Sequence, residues 1–344
     1  MRNKLNNINF SSIIFFLCQE MFLGVGLTQI LLISKQNSIY VCFIGLLFSL
    51  IYTLFLLSYF NYLPNLNLFE KINYTYKKLG KIINFILFIV LFIYLTYSLF
   101  LLSVYIQNKY LTNTPKLLII TLFLLPTVYL ANSNIKSISK TSFILLIISV
   151  FEYIIMFSGI IKYINLENFK PLFDKNIKVL LKSSFYYMSY LSFPLFLILF
   201  VPKSYLQKPD KINKNIIIFF SLCNFFIFLL TLGIIGVFGI DLSLLFDFPG
   251  YSLTKKINFF DFIQHIENLV SSVWMLGMLF NSVMCIYSIK LYVNKKYYYP
   301  LIILSLFTSS FLFKNSNLLF IFIRKYFIYL FLFIIILLIK RNKN

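Results

Sequence analysis

The sequence predicts an all-α integral membrane protein of about ten transmembrane helices, a single membrane domain (1–344) built from two inverted five-helix repeats. Three observations carry this reading. First, 60% of the 344 residues are hydrophobic and 12% are charged, whereas a soluble domain carries about a quarter charged residues. Second, the apolar residues fall in long blocks near the ~20 residues an α-helix needs to cross the hydrocarbon. Third, ten blocks divide as five plus five. An odd number per half makes the halves insert upside down relative to each other, as in many secondary transporters.

The blocks are 8–33, 39–60, 82–107, 116–132, 140–163, 182–202, 214–240, 260–289, 297–313 and 318–340. The repeats are therefore 8–163 and 182–340. Arg2 and Lys4 precede the first block. That block is too long for the apolar core of a signal peptide, and no small-x-small cleavage site follows, so it reads as a retained span. Arg324 and Lys325 lie near the start of the last block. They either snorkel to the interface or mark a short surface helix before a shorter span.

With the N-terminus inside, inner segments hold 18 of the 31 Lys and Arg residues and outer segments hold 11. The positive-inside rule then puts both termini in the cytoplasm. The net charge of +21 would suggest nucleic acid in a soluble protein. Here the lysines cluster between apolar blocks, so topology accounts for them and no nucleic-acid partner is expected. Cys18, Cys42, Cys223 and Cys285 have neither metal-ligand nor redox spacing. One histidine with no acid-base or metal constellation offers an enzyme nothing to work with. No cofactor, metal or catalytic residue is expected.

Polar and helix-breaking residues inside the apolar blocks mark the candidate site. The first block contains "CQEMFLGVGLTQILL". Each Gly weakens a helix by about 1 kcal/mol relative to Ala, so Gly24-Val25-Gly26 predicts local unwinding. The plain alternative is that the small residues permit close helix packing. The matching block of the second half, "SSFYYMSYLSFPLFLILFVP", carries Pro194. It removes one backbone donor and frees the carbonyl of Tyr190, four residues back. Ser189, Tyr190, Ser192 and Phe193 surround that break. Two discontinuous helices, one per half, are how inverted-repeat proteins build a ligand site.

Glu20 lies one helical turn before Gly24. An ionised acid at the membrane centre costs about 2.5–3.5 kcal/mol on insertion scales, so it must be neutral, paired or hydrated. Glu152, in "LLIISVFEYIIMFSG", poses the same question. Its alternative is a neutral acid bonded to a neighbouring hydroxyl. Tyr94, Tyr97, Ser98 and Tyr105 form a polar-aromatic stripe on the third block. It either lines a pocket or serves packing and interface belts.

The stretch "FPGYSLTKKINFFDFIQHIENLVSSVWMLGMLFN", from 248 to 281, resembles the signature of the spore-germination permeases, the B subunits of nutrient germinant receptors. The matching positions are Phe248, Pro249, Tyr251, Ile257, Asp261, Phe262, Glu267 and Trp274. His265 stands where the family commonly has arginine, and Asn281 where lysine is frequent. "GVGLTQIL", "LPNLNLFEKINYTYKKLGKIIN" and "TPKLLIITLFLLPTVYLA" resemble other family segments. Ser192 and Pro194 replace the Gly and Glu of a Gly-Phe-Glu.

The resemblance implies membership of the amino acid–polyamine–cation superfamily, with a LeuT-type amino acid permease fold. It implies a location in the spore inner membrane. It also implies a small nutrient ligand, an amino acid, and two partners: a membrane A subunit and a lipoprotein C subunit. By the same analogy, spans one, three, six and eight build the pocket. Ligand-binding candidates are then Glu20, Gly24, Val25, Gly26, Tyr97, Ser98, Ser189, Tyr190, Ser192, Phe193 and Pro194. Coupling or gating candidates are Glu152, His265, Glu267, Trp274 and Asn281. The leading expectation is a nutrient-sensing receptor subunit. The alternative is an amino acid transporter coupled to protons or cations through Glu20 or Glu152.

Overall fold

Helix is the only extended regular structure along the described residues, 4–171, 174–257, 267–312 and 328–338 of the computed structural model. A helix satisfies its own backbone groups, which lipid cannot do for it. The first apolar block folds as α1 (Asn7–Met21), a π-helical turn (Phe22–Gly26) and α2 (Leu27–Ser34). Lys35, with φ 50°, separates α2 from α3 (Ser38–Asn61). Helix α4 (Leu68–Tyr76) begins at a capping box, in which Asn67 Oδ1 accepts from the Glu70 amide and Glu70 Oε2 from the Asn67 amide. Lys77, again with φ 50°, divides it from α5 (Gly80–Lys109).

The chain continues through α6 (Lys116–Asn132), α7 (Ile135–Ile160) and α8 (Ile177–Ser192), which runs on as a 3-10 helix over Phe193–Phe200. Then come α9 (Ile212–Leu245), α10 (Pro249–Thr254), α11 (Glu267–Tyr292), α12 (Lys295–Phe307) and α13 (Ile328–Leu338). Gly239 kinks α9 with φ 66° and ψ −178°, a backbone conformation open to glycine. Among the described residues, six helical stretches are long and apolar enough to cross a membrane. The first of them, Asn7–Asn61, comprises α1 to α3, while α6 and α13 are shorter apolar helices. The chain is thus a multi-pass helical membrane protein. Arg324 and Lys325 lie outside the described residues.

Burial sorts these helices into a centre and a rim. Every residue of α1 from Phe10 to Met21 is buried, and so is the whole 3-10 run Phe193–Phe200. Helix α1 packs against α7, α9 and α11, and α11 also packs against α5 and α6. A helix buried on every side belongs in such a centre. The rim helices expose apolar stripes instead: Phe43, Leu47, Ile51 and Leu54 on α3, and Ile144, Ile147, Phe151 and Ile154 on α7. Spacings of three and four residues make each stripe one face, suited to lipid.

On one end of the bundle, Leu5 pairs with the chain after segment six. Its amide donates to Tyr205 O (2.8 Å), and the Gln207 amide donates to Leu5 O (2.9 Å). Asn7 Nδ2 donates to Lys208 O (2.5 Å). The start of the first segment is thereby tied to the end of the sixth.

A buried acid beside two irregular turns

Gly24 and Gly26 sit where helices approach too closely for a side chain. A Cβ on Gly24 would lie 2.5 Å from Leu101 Cδ2 and 3.2 Å from Trp274 Cζ2. A Cβ on Gly26 would lie 2.9 Å from Tyr190 Cβ. Gly26 has φ −60° and ψ −44°, ordinary helical values. The glycines therefore serve close packing. The segment also stays helical where local unwinding was expected, with the Leu27 amide bonding to Phe22 O, five residues back. In a buried environment the backbone keeps internal partners, and a π turn inserts one residue without releasing the chain.

Segment six changes in a parallel way. Helix α8 ends at Ser192, and Pro194 falls in the first turn of the 3-10 run, where its missing N–H is least costly. The Ser189 hydroxyl donates to Tyr186 O at 2.8 Å, and the Phe193 amide donates to Ser189 O. Ser192 Oγ is buried and forms no hydrogen bond among the described residues. The π turn touches α8 just ahead of its 3-10 run: Gly26 meets Tyr190, and the Phe22 and Tyr187 rings stand 4.9 Å apart. Val25 and Tyr190 are both fully buried.

Glu20 lies at the base of the π turn, fully buried. Its Oε2 is 2.5 Å from the Tyr94 hydroxyl, which is 3.0 Å from Asn281 Oδ1. Asn281 Nδ2 donates to Leu17 O (3.1 Å) and Gly277 O (3.2 Å), which fixes its Oδ1 as an acceptor. Tyr94 has one proton and two facing acceptors. All these contacts are satisfied together when Glu20 is protonated: Glu20 donates to Tyr94, and Tyr94 donates to Asn281. Oε1 of Glu20 forms no hydrogen bond among the described residues. The Ser98 hydroxyl faces the same carboxyl but is hydrogen-bonded with Ser282 (3.3 Å). The neighbouring Gln19 is also fully buried, with neither amide atom hydrogen-bonded among the described residues.

Helix α11 holds the first segment by its backbone as well. Trp274 Nε1 donates to Glu20 O at 3.1 Å, and Asn281 takes Leu17 O. Two carbonyls thus receive side-chain donors just before the ladder changes from α to π. The Tyr105 ring packs edge-on against Trp274 at 4.4 Å, and the Tyr105 hydroxyl donates to Ser271 Oγ at 2.6 Å. Ser271 Oγ donates in turn to Glu267 O. Phe193 meets Tyr94 edge-on at 5.2 Å.

Of the residues singled out from sequence, Glu20, Gly24, Val25, Gly26, Ser98, Tyr190, Ser192, Phe193, Pro194, Trp274 and Asn281 gather at or beside the two irregular turns. Tyr97 is buried on α5 near Tyr94. Glu152 has a separate setting on α7, where Ser272 Oγ donates to its two carboxylate oxygens at 2.9 and 3.1 Å. The neighbouring hydroxyl of the second reading is thus present. Glu267 begins α11 and is largely buried. His265, Asp261 and Phe262 lie outside the described residues. Tyr94 was visible only as one member of a stripe. Nothing local distinguished it from Tyr97 as the partner of Glu20. Gln19 carries a local signal of its own, an amide within an apolar run.

Membrane-crossing helices enclosing a buried acid, held by α5 and α11, define a multi-pass membrane protein with an internal polar site. The chain belongs to the spore germination protein family, which it matches over residues 8–297. That span includes every site residue named above. No curated protein gives a match.

Proposed function

We propose that this chain is the nutrient-sensing subunit of a spore germinant receptor and binds a small amino acid where the first and sixth segments meet. The observation carrying the proposal is Glu20: a fully buried acid with one oxygen bound to Tyr94 and the other without a hydrogen bond among the described residues. An intramembrane acid of this kind marks a functional site. The ligand's ammonium group meets Glu20. Ser192, whose hydroxyl is also without a bond among the described residues, offers a donor to its carboxylate.

In this reading the helices form the LeuT-type five-plus-five inverted repeat. Supporting it, the irregular turns fall in the first and sixth predicted segments, and those segments touch at Gly26 and Tyr190. The protein works in the spore inner membrane with both termini cytoplasmic, alongside a membrane A subunit and a lipoprotein C subunit. A ligand shifts the resting state only by its difference in affinity between two states. Here that difference arises because binding takes Glu20 from its Tyr94 partner.

The test uses spores whose only copy carries Glu20→Gln. Their response to amino acids should need at least about tenfold more nutrient, the loss of one charge-assisted hydrogen bond, while the protein accumulates normally. An unchanged dose curve sinks the assignment. Uptake of labelled amino acid into proteoliposomes holding this chain alone is what a coupled transporter would give instead.

A further inference from the structure

Where the first segment starts, a cleft of about 300 Å³ opens between α1, the connection after segment six and α9. Small-molecule sites begin at about this size. Lys208 and Lys211 line it, with Gln207, Asn215 and the first turn of α1. No acidic side chain does, and Asp210, the acid of this connection, lies outside the lining. Both lysines are exposed, and neither forms an ion pair among the described residues. Asn7 fixes the backbone of Lys208 from both sides. Its Nδ2 donates to the carbonyl, and its Oδ1 accepts from the amide at 3.2 Å. Lys211 is also the N-cap of α9, with no side-chain cap bond and no acid in the first turn. A lysine there faces the positive end of the helix dipole, an arrangement that a bound anion offsets.

Away from the cleft α9 turns apolar on the same side. Asn215, Ile218, Leu222 and Phe225 recur at spacings of three and four, which makes one helix face. Ile218 and Phe225 are half exposed on it, and Ile8, also half exposed, stands in the cleft wall. A free phosphate would use the lysines alone, whereas a phospholipid uses the lysines and the apolar face. We infer that this cleft binds the phosphate headgroup of an anionic phospholipid, whose acyl chains run along the Ile218–Phe225 face. Basic pockets between membrane helices take such headgroups. The bound phosphate braces the start of the first segment against the end of the sixth, the two elements that Leu5 already pairs. This site is independent of the amino acid reading above.

The purified full-length protein in a neutral detergent is titrated with dioleoylphosphatidylglycerol, dioleoylphosphatidylcholine or inorganic phosphate, and its thermal-unfolding midpoint is followed. A ligand bound only by the folded state raises that midpoint. Phosphatidylglycerol should raise it to a plateau, less so in high salt, while phosphatidylcholine and phosphate should leave it unchanged. A lysine near an anionic lipid surface is worth about fivefold in affinity, so Lys208→Gln with Lys211→Gln should weaken phosphatidylglycerol about twenty-five-fold. Lys208→Arg with Lys211→Arg keeps the charge and should keep the response. Lys78→Gln with Lys81→Gln removes the same charge from exposed positions outside the cleft and should keep it too. Native mass spectrometry of the wild type from mixed micelles should show phosphatidylglycerol retained in preference to phosphatidylcholine, a readout that no variant's folding affects. Equal retention or equal stabilisation by the two lipids, or an equal loss in the Lys78 and Lys81 variant, overturns the site. Equal stabilisation by inorganic phosphate overturns the lipid and leaves a site for a free anion.

Discussion

Gly26 stands so close to Tyr190 that a Cβ on the glycine would lie 2.9 Å from the tyrosine Cβ. The crowded atom is the root of a side chain, so it cannot swing away. Gly26→Ala must push the first and sixth segments apart. Overpacking of this kind costs about 1–3 kcal/mol, read as a lower thermal-unfolding midpoint in detergent. A midpoint equal to the wild type's would show that the two segments are not in contact.

Tyr94 links Glu20 to Asn281 through a single hydroxyl. Tyr94→Phe keeps the ring against Phe193 and deletes that link. Two buried groups then lose a partner, each worth about 1–3 kcal/mol. Stability should fall, while nutrient affinity should rise by roughly tenfold, because the ligand no longer has to displace Tyr94 from Glu20. Binding titrations on the purified variant decide the matter, and wild-type affinity would refute a role for Tyr94.

A protonated Glu20 satisfies every contact of the unliganded site, while an ammonium group prefers the carboxylate. Binding should therefore release a proton. The sign follows directly: raising pH favours the ionised form, so affinity increases with pH, by at most about tenfold per unit. Glu20→Gln should abolish the dependence. Calorimetry in buffers of different ionisation heat measures the released proton. A flat wild-type profile across the near-neutral range would falsify the exchange.

Lys71 on α4 is almost completely buried, and its Nζ donates to Tyr59 O (3.3 Å) and Phe60 O (3.1 Å) in the last turn of α3. The Tyr59 and Phe60 rings also face it at 5.7 Å. The cation thus caps the negative end of a helix. Lys71→Met preserves length but removes both donors. It should lower stability by about 1–3 kcal/mol while leaving ligand selectivity alone. Thermal unfolding together with a ligand series checks both halves. A selectivity change with intact stability would move Lys71 from a capping role to a binding one.

The amino-acid sequence alone determined the class of the molecule, because composition and block length decide what can sit in lipid. It also located the irregular turns and Glu20, since Gly-Val-Gly, Pro194 and an acid in an apolar run are local signals that need no neighbour. Tertiary structure decided the rest. Whether Gly24 and Gly26 unwound the helix or admitted a neighbour depended on Leu101, Trp274 and Tyr190, which lie far away in the chain. The roles of the two acids separated for the same reason: Ser272 took Glu152, while Tyr94 took Glu20. The periodicity of a single helix says which residues share a face. Only the packing of helices says what that face meets, and in a chain with 25 tyrosines no local pattern could choose Tyr94.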